Sequence, residues 1–281
     1  MNNIMVLNEP KGTSNNINEQ IYISKVNDML QAERRNLIVE YMNSHGKLVV
    51  EDIAKELNTS PMTIRRDLKY LEDNNIIKRT HGGAVLHNIL TDEMPYKQKS
   101  KKYIAEKNRI AGFAVSLIPE GGTIILDAGT TNMEIAKLLK DLNKVKVITT
   151  DLMIAAYLSQ YKHIEIYCTG GLIEGLTGAC SGSKAREFLE TIHADIAFLG
   201  ASAIDVQLGL SSPTIEKVEV KQQMIKSAEK IILVADHGKF GKKSFAKICS
   251  LNQFDYIITD SGIDKEIVNE IKLKGIKIEI V

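Results

Sequence analysis

The spacing of apolar residues divides this 281-residue chain into two regions with different periods. Between about residues 31 and 87, apolar positions recur every three or four residues in short segments, which is the period of amphipathic helices. From about residue 105 onward, short β-branched runs alternate with helical stretches, and this alternation is typical of a mostly parallel sheet covered by helices. The pattern therefore predicts two domains, 31–87 and 105–281, joined by a linker over residues 88–104.

The N-terminal residues 1–30 show neither pattern. They are polar and rich in asparagine, so we expect a flexible arm without a core of its own. Met29 directly precedes the first convincing helical pattern, and it is therefore a candidate for the natural start of the protein.

The clearest single helix is predicted over residues 60–71. Ser60 suits the N-cap, because its hydroxyl can accept from a free backbone N–H of the first turn, and Pro61 suits the first helical position. The i, i+4, i+7 rule places three apolar side chains on the inner face: Ile64, Leu68 and Leu71. The outer face carries Met62 and three cations: Arg65, Arg66 and Lys69. Such a helix packs on one side and offers the other side to a polyanion.

The segments around this helix complete a larger pattern. Two predicted helices precede it, over about residues 31–44 and 50–57, and a three-residue turn leads into it. Gly46 suits a left-handed C-terminal cap of the first helix. A β-hairpin is predicted afterwards, because two apolar runs flank Gly82-Gly83. This order of elements is that of a winged helix-turn-helix.

A helix with a basic face is, taken alone, usually only solvated, and so is a histidine in a turn. The complete helix-turn-helix pattern, with basic residues near the tip of the hairpin, favours DNA binding instead. The helix would then contact the major groove, and the hairpin would contact phosphates or the minor groove. The candidate DNA-binding residues are Ser60, Pro61, Met62, Thr63, Arg65, Arg66, Lys69, Lys78, Arg79, His81 and Gly82.

The overall charge restricts how the chain can bind DNA. It contains 36 Lys and Arg against 35 Asp and Glu, a formal net charge of +1, so a polyanion must be bound by a local patch. The predicted linker contains a basic run, for which a solvated hinge and added phosphate contacts both remain open: Lys97, Lys99, Lys101 and Lys102.

The cysteines and the hydrophobic runs exclude several classes of protein. Cys168, Cys180 and Cys249 form no C-x-x-C pair, so we expect reduced, idle thiols and neither a disulfide framework nor a cysteine zinc site. No run approaches the roughly 18 apolar residues of a membrane span, and the N-terminus lacks the apolar core of a signal peptide. We expect a cytoplasmic protein that uses no membrane, metal or cofactor.

The candidate chemistry of the second region lies at the ends of its strands, because ligands of open α/β sheets bind beyond the carboxyl ends. Seven strands are predicted, over residues 123–127, 145–149, 164–168, 196–200, 230–235, 256–259 and 276–281. The loop after the first strand offers a glycine, threonine hydroxyls and free N–H groups, which suit a phosphate. The candidate effector-binding residues are Asp127, Gly129, Thr130, Thr131, Thr150, Asp151, Gly170, Gly171, Lys221, Asp236 and Lys239.

Several of these residues also have a plain structural interpretation. Asp127 and Thr130 fit a turn and a helix cap, and Lys221 fits a solvated helix surface. Lys239 is a stronger candidate, because a flexible loop that presents one cation between glycines usually binds an anion. A site for phosphate and hydroxyl groups is therefore better supported than any single residue in it.

Two other functions compete with binding. An enzyme acting on a phosphosugar needs a positioned acid or base, for which Asp127, Asp151 and Asp236 are candidates, but none lies in a specific catalytic motif. A dinucleotide-binding redox sensor needs G-x-G-x-x-G after the first strand, and residues 127–132 lack it. We therefore predict no catalytic residue.

Long motifs in both regions carry a family resemblance. In the first region they are Arg34, residues 49–57, Ser60-Pro-Met-Thr-Ile-Arg-Arg-Asp-Leu68, Leu71-Glu72 and Arg79-Thr-His-Gly-Gly-Ala84. In the second they are Glu106-Lys107, Asp127-x-Gly-Thr-Thr131, Thr169-Gly-Gly171, Glu219-x-Lys221 and Asp236-x-x-Lys-Phe-Gly241. Over about residues 31–281 the chain thus resembles the DeoR family of bacterial transcription regulators. It departs from the family pattern at Lys99, near which an arginine is common, and at His237-Gly238, where small hydroxyl residues are common.

The resemblance implies a winged helix-turn-helix that usually represses transcription. It also implies a sensor domain that shares its fold with sugar-phosphate isomerases and takes a phosphorylated sugar as effector. We therefore predict a repressor of a sugar-metabolism operon that binds double-stranded operator DNA as a homo-oligomer, either a dimer or a tetramer. The identity of the sugar and the sign of its effect on DNA binding stay open.

Overall fold

The computed structural model describes residues 30–74, 76–86 and 93–281, and the chain forms two compact units that divide between His87 and Asn88. The predicted N-terminal arm up to residue 29 and the first part of the predicted linker, residues 88–92, lie outside the described residues. No helix in the described ranges is long and apolar enough to cross a membrane.

The N-terminal unit has the predicted order of helices followed by a hairpin. Its described elements are α1 Gln31–His45, β1 Lys47–Val49, α2 Val50–Glu56, α3 Pro61–Asp73, β2 Ile77–Thr80 and β3 Gly83–Leu86. Gly46 ends α1 in the left-handed conformation with φ 73°, and its N–H donates to the carbonyl of Met42 at 2.7 Å. The winged helix-turn-helix prediction is confirmed.

Strand β1 adds an element that the sequence pattern did not predict. It pairs antiparallel with β3, so the wing is a three-stranded sheet of order β1-β3-β2. Gly83 makes this pairing possible, because a Cβ atom there would lie 2.0 Å from the carbonyl oxygen of Leu48. A strand of three residues is too short to show a period in the sequence.

Helix α3 is built as its sequence predicts. The Ser60 hydroxyl accepts from the backbone N–H of Thr63 at 3.1 Å, and Pro61 is the first helical residue. The side chains of the predicted inner face are buried together with residues of α1 and α2: Ile64, Leu68, Leu71, Ile38, Met42 and Ile53. Burial of each such side chain contributes roughly 1.5–3 kcal/mol, so packing rather than intrinsic propensity holds this helix in place.

The second unit is built on a seven-stranded parallel sheet. Every strand predicted for it is present, with ends that differ from the prediction by two residues at most: β4 Thr123–Leu126, β5 Lys146–Thr149, β6 Glu165–Cys168, β9 Ala194–Leu199, β12 Ala228–Val234, β14 Tyr256–Thr259 and β15 Ile278–Ile280. The strand order is β15-β14-β12-β9-β4-β5-β6. The chain therefore builds one half of the sheet outward from β4 and the other half outward from β9, and the order reverses between these two strands.

Helices cover both faces of this sheet. They are α4 Tyr96–Lys101, α5 Ile104–Ser116, α6 Thr130–Leu138, α7 Leu152–Leu158, α8 Ser183–Glu190, α9 Ile215–Lys226 and α10 Lys265–Leu273. Successive strand residues point to opposite faces, so Ile125 and Leu199 belong to one buried core while Leu126 and Phe198 belong to the other. Cores on both faces explain why these strands read as continuous apolar runs.

Two small antiparallel sheets were not predicted. One pairs β7 Leu172–Ile173 with β8 Cys180–Ser181, and the other has the order β10 Ala203–Asp205, β11 Gly209–Ser212, β13 Ala246–Cys249. Gly209 is required in the second sheet, because a Cβ atom would lie 2.1 Å from the carbonyl oxygen of Cys249. Strands of two to four residues are too short to show a clear pattern in the sequence.

The described part of the predicted linker, residues 93–104, is not a solvated hinge. The backbone N–H of Tyr96 donates to the carbonyl of Leu176 at 2.9 Å. At the C-terminal end of α4, the Lys107 ammonium donates to the carbonyls of Lys99 and Lys102 at 2.5 and 2.6 Å. A buried cation that satisfies the last carbonyls of a helix fixes that helix to its neighbour, so α4 belongs to the second unit.

Candidate functional site

The outer face of α3 and the tip of the wing are exposed, as the sequence predicts. Met62 is 66% exposed, and the side chains of Ser60, Arg65, Arg66 and Lys69 are also exposed, whereas Thr63 is half-buried. On the wing the exposed residues are Lys78, Arg79, His81 and Gly82. We call the residues Met62, Arg65, Arg66, Lys69, Lys78, Arg79 and His81 together the basic surface.

Two cations of the basic surface are held by carboxylates of their own unit. Arg65 Nη2 lies 2.9 Å from Glu51 Oε1 on α2. Arg79 Nε lies 2.8 Å from Glu72 Oε2 on α3, and its backbone N–H donates to the same carboxylate at 3.0 Å. The two contacts between Arg79 and Glu72 tie the wing to α3. Among the residues that the structure describes, the remaining cations have no ion pair: Arg66, Lys69 and Lys78.

Asp67 is a residue that sequence reasoning missed. Its side chain is 0% exposed and accepts from Arg34 Nε at 2.6 Å and Arg35 Nε at 3.1 Å, both on α1. The Arg35 guanidinium also lies over the ring of Tyr70, 3.5 Å from its centroid. These contacts fix α3 against α1. The signal in the sequence was the position of this acidic residue among the apolar residues of the buried helix face, Ile64, Leu68 and Leu71.

A pocket opens in the second unit beyond the carboxyl ends of β4, β5 and β9, next to the point where the strand order reverses. Seven of the predicted effector-binding residues line it: Asp127, Gly129, Thr130, Thr131, Thr150, Lys221 and Lys239. It is also lined by residues that the sequence did not single out, among them Glu93, Tyr96, Lys99, Asn132, Thr177, Cys180, Ser202 and Lys217. We call this cavity the pocket.

The start of α6 forms one wall of the pocket. The N–H of Ala128 donates to Thr150 Oγ1 and that of Gly129 to Asp151 Oδ2, each at 3.0 Å. The next three N–H groups, at the positive end of the helix dipole, have no acceptor among the described residues: those of Thr130, Thr131 and Asn132. Unpaired N–H groups at a helix N-terminus form a site for an anion.

Lys221 is not the solvated helix residue of the alternative interpretation. It is 7% exposed, and its ammonium forms an ion pair with Asp127 and donates to the carbonyl of Gly200 at 2.9 Å. Asp127 also accepts from the N–H of Gly200 at 2.8 Å. The pair therefore joins the ends of β4 and β9 beneath the pocket, where a charged group must have a partner.

Lys239 differs from the other lysines of the pocket. The structure gives its ammonium no hydrogen bond or ion pair with any described residue, although it lines the pocket. Burial lowers its pKa below the ordinary lysine range, and the ammonium of Lys242 adds to this effect while Asp236 opposes it. A partly desolvated cation without a partner is poised to bind an anion.

Four of the predicted residues do not line the pocket, and two of them, Asp151 and Asp236, hold segments next to it. Asp151 caps α7 by accepting from the N–H groups of Met153 and Ile154 at 2.7 and 3.3 Å, and burial raises its pKa to about 6. Asp236 accepts from the N–H of Gly238 at 3.1 Å and so shapes the loop of Lys239. The other two residues, Gly170 and Gly171, follow β6 with φ 67° and 97°. All four were predicted from strand-end loops, and none of them is among the residues that line the pocket.

A half-buried ion network closes another side of the pocket. Glu93 pairs with Lys99 and, at 2.9 Å, with Lys217, which also lies 2.8 Å from Glu174. Burial works against ionisation of Glu93, but the two lysines lower its pKa to about 2. Burial lowers the pKa of Lys99 to about 8, despite the opposing effect of Glu93. The basic run around Lys99 was the only signal for this wall in the sequence.

Asn132 offers an unused acceptor to the pocket. Its side chain is 0% exposed, and Nδ2 donates to the carbonyls of Asp127 and Phe198 at 2.8 and 3.1 Å. Its Oδ1 atom is buried without a hydrogen-bond partner. A buried acceptor of this kind is costly unless a ligand or water donates to it.

His237 and Gly238, which depart from the family pattern, do not line the pocket. His237 Nδ1 lies 2.7 Å from Asp260 Oδ1, and its ring packs 4.4 Å from that of Tyr103. A Cβ atom on Gly238 would lie 2.6 Å from Cε2 of Tyr103. The glycine thus makes room for the tyrosine, so this departure changes the packing beside the pocket rather than its wall.

Each of the two units matches a known family of protein domains. Residues 34–89 match the DeoR-like helix-turn-helix domain, and residues 102–261 match the DeoR C terminal sensor domain. The HTH-type transcriptional regulator GlpR of Haloferax volcanii is 37% identical over 250 residues, 89% of this chain and 98% of the relative. The HTH-type transcriptional repressor GlcR of Bacillus subtilis is 38% identical over 232 residues, 83% of this chain and 89% of the relative.

Similar solved structures include the ribose 5-phosphate isomerase A of Methanocaldococcus jannaschii. It is 20% identical, covers 50% of this chain and 55% of that chain, and has a TM-score of 0.37.

Proposed function

Because the chain belongs to the DeoR family of transcriptional regulators and is not an enzyme, we propose that a phosphorylated sugar in the pocket controls its binding to operator DNA. The basic surface would make the DNA contacts. In this proposal the protein represses a sugar-metabolism operon.

One observation carries the proposal for a phosphate. The pocket brings together three unpaired backbone N–H groups at the start of α6 and the unpaired ammonium of Lys239. Phosphate oxygens accept several hydrogen bonds at once, and they favour both helix N-termini and lysine. A neutral ligand would leave Lys239 without a counter-charge.

The other groups of the pocket suit the hydroxyls of a sugar. Asn132 Oδ1 needs a donor, and the hydroxyls of Thr130, Thr131 and Ser202 can donate or accept. A sugar hydroxyl that donates to Asn132 would remove an unsatisfied buried acceptor, which favours the bound state. A phosphorylated sugar thus satisfies both halves of the pocket.

We propose that the cations of the basic surface without an ion pair contact the DNA. Arg66 and Lys69 on α3 would contact base edges or phosphates in the major groove, and Lys78 on the wing would contact phosphate. Helix-turn-helix proteins bind two half-sites as symmetric oligomers, and we propose a homo-oligomer, either a dimer or a tetramer, for this chain.

The chain connection suggests how the pocket affects DNA binding. Glu93 and Lys99 line the pocket, and only six residues, 87–92, separate Glu93 from the end of the wing at Leu86. A phosphate that competes with Glu93 for the ammonium groups of Lys99 and Lys217 would change how this segment is held. The effector would thereby shift the population that is able to bind both half-sites.

A thermal-shift screen of the full chain tests the phosphate claim. Phosphorylated sugars are expected to raise the melting temperature in a concentration-dependent way, whereas the matching free sugars at the same concentration have no effect. Inorganic phosphate separates a general anion effect from recognition of the sugar. If the free sugars stabilise the protein as much as their phosphates do, the phosphate assignment is wrong.

A further inference from the structure

Two of the three cysteines, expected to be idle, lie side by side at the pocket. Cys168 Sγ and Cys180 Sγ are 3.7 Å apart. A disulfide has an S–S distance of about 2.05 Å, so the two sulfur atoms need to approach by only about 1.7 Å to bond. Cys249, the third cysteine, has no sulfur contact among the described residues and is buried.

The sheet itself brings this pair together. Cys168 is the last residue of β6 and lies opposite Thr149 of β5. Cys180, the first residue of β8, donates its N–H to the carbonyl of Thr150 at 2.6 Å. Thr149 and Thr150, which are adjacent at the end of β5, therefore hold the two cysteines next to each other. In the sequence, 12 positions separate Cys168 from Cys180.

The two thiols have different surroundings. Cys168 is exposed, so a small oxidant in solvent can reach it. Cys180 is 2% exposed and lines the pocket, and burial together with the adjacent Cys168 raises its pKa to about 11. An accessible thiol beside a protected one is the arrangement in which the first is oxidised and the second resolves the product.

We propose that Cys168 and Cys180 form a reversible disulfide when hydrogen peroxide oxidises the protein. The Cys168 thiolate attacks one peroxide oxygen, the O–O bond breaks, and Cys168 becomes a sulfenic acid while hydroxide leaves and takes up a proton. Cys180 sulfur then attacks the sulfenic sulfur, the S–S bond forms, and the S–OH oxygen leaves as water with the Cys180 proton. With hydrogen peroxide, two thiols lose two electrons and the peroxide is reduced to two waters.

The bond would fix part of the pocket wall. It closes a ring over residues 168–180, which contains the pocket residues Thr177 and Ala179. The same segment carries Glu174, the partner of Lys217 in the ion network. Oxidation would therefore restrain the segment that joins β6 to the pocket. This inference depends on the thiol geometry alone and stands whether or not the ligand is a sugar phosphate.

Peptide mapping of the oxidised full chain tests the proposal. No lysine or arginine lies between the two cysteines, so trypsin releases both on one peptide, residues 163–184, while Cys249 falls on another, residues 248–265. After mild hydrogen peroxide and alkylation under denaturing conditions, we expect the 163–184 peptide to lack two hydrogens and to carry no alkyl group. A glutamate-specific protease then cuts at Glu165 and Glu174, and the two cysteine-containing fragments, residues 166–174 and 175–184, should stay joined until dithiothreitol is added.

Single substitutions serve as controls, with circular dichroism to show that each variant is folded. Cys249→Ser should leave the disulfide unchanged. Cys168→Ser should leave Cys180 reduced, and Cys180→Ser should leave a sulfenic acid at Cys168 that dimedone traps. The proposal is overturned if the wild-type map shows Cys180 still alkylated after Cys168 is oxidised, or Cys168 joined to Cys168 of a second chain. The wild-type map gives this answer even if a variant does not fold.

Discussion

The basic surface and the pocket use charge in the same way but are assembled differently. Each contains cations that a carboxylate of the same unit holds, such as Arg65 by Glu51 and Lys221 by Asp127. Each also contains cations without a partner among the described residues, and these are the ones best placed for a ligand. The basic surface comes from one helix and a hairpin, whereas the pocket collects residues from segments more than 100 positions apart. We expect cations without a partner to contribute more to ligand binding than cations that a carboxylate already holds.

The largest effect is expected where a paired charge is removed from the scaffold. Asp67→Ala leaves Arg34 and Arg35 without their buried partner and should lower the free energy of unfolding of the N-terminal unit by about 3 kcal/mol. Urea unfolding followed by circular dichroism measures this loss. Asp73→Ala is the matched control, because Asp73 is an exposed carboxylate at the end of the same helix. Equal stability of the two variants would contradict the structural role of Asp67.

Lys239 tests whether a pocket cation without a partner among the described residues binds the ligand. Lys239→Gln should weaken binding of a phosphorylated sugar by about 2 kcal/mol, the worth of a charge-assisted hydrogen bond, while operator affinity without ligand stays unchanged. The melting temperature of the free protein should not fall, because the ammonium gains no partner in the fold. Isothermal titration calorimetry measures the affinity, and Lys247→Gln, at an exposed position, is the control. A wild-type affinity in the Lys239 variant would remove this residue from the phosphate site.

Arg66 and Arg65 allow a cation without an ion pair to be compared with a paired one on the same helix, α3. Arg66→Ala should weaken binding to an operator fragment selected from random DNA by about 1–2 kcal/mol. Arg65→Ala should cost less, because Arg65 exchanges its ion pair with Glu51 for the DNA contact. Fluorescence anisotropy at fixed salt compares the two variants. Glu51→Gln is expected to strengthen binding slightly by freeing Arg65, and a larger loss for Arg65→Ala than for Arg66→Ala would reverse our assignment.

The smallest effect concerns Asp151 beneath the α6 wall. Its folded pKa of about 6 lies above the ordinary value of 3.8, so the folded state binds the proton more tightly than the unfolded state. The cost of the buried charge is therefore present above pH 6 and is lost as the pH falls. Lowering the pH from 7 to 5 should stabilise the second unit by about 1 kcal/mol. In Asp151→Asn this increment should vanish, and an unchanged pH profile would show that another group is responsible.

Local pattern predicted the basic surface because its residues on α3 follow one helical period and its wing residues lie next to a Gly-Gly turn. Ser60, Pro61 and the apolar stripe of α3 lie where the sequence places them, since capping and amphipathicity act within a few residues. Asp67 escaped because its partners lie on another helix, more than 30 positions earlier.

The pocket could be predicted only in part. The strand-end loops followed from the α/β pattern, and they supplied the start of α6 and Lys239. Glu93 and Lys99 escaped because a polar, basic segment reads as a solvated linker until tertiary contacts bury it. The Cys168–Cys180 contact escaped because strand pairing, which no local pattern encodes, brings the two residues together.

Operator binding with and without ligand tests the central claim most directly. The measurement is the anisotropy of a labelled operator fragment, titrated with wild-type protein and with Lys239→Gln, in the absence and presence of a phosphorylated sugar that stabilises the wild type. We predict that the sugar changes the wild-type affinity by about tenfold or more, and that Lys239→Gln binds DNA normally but does not respond. An equal response of both proteins, or a sugar that binds without changing the DNA affinity, would contradict the account.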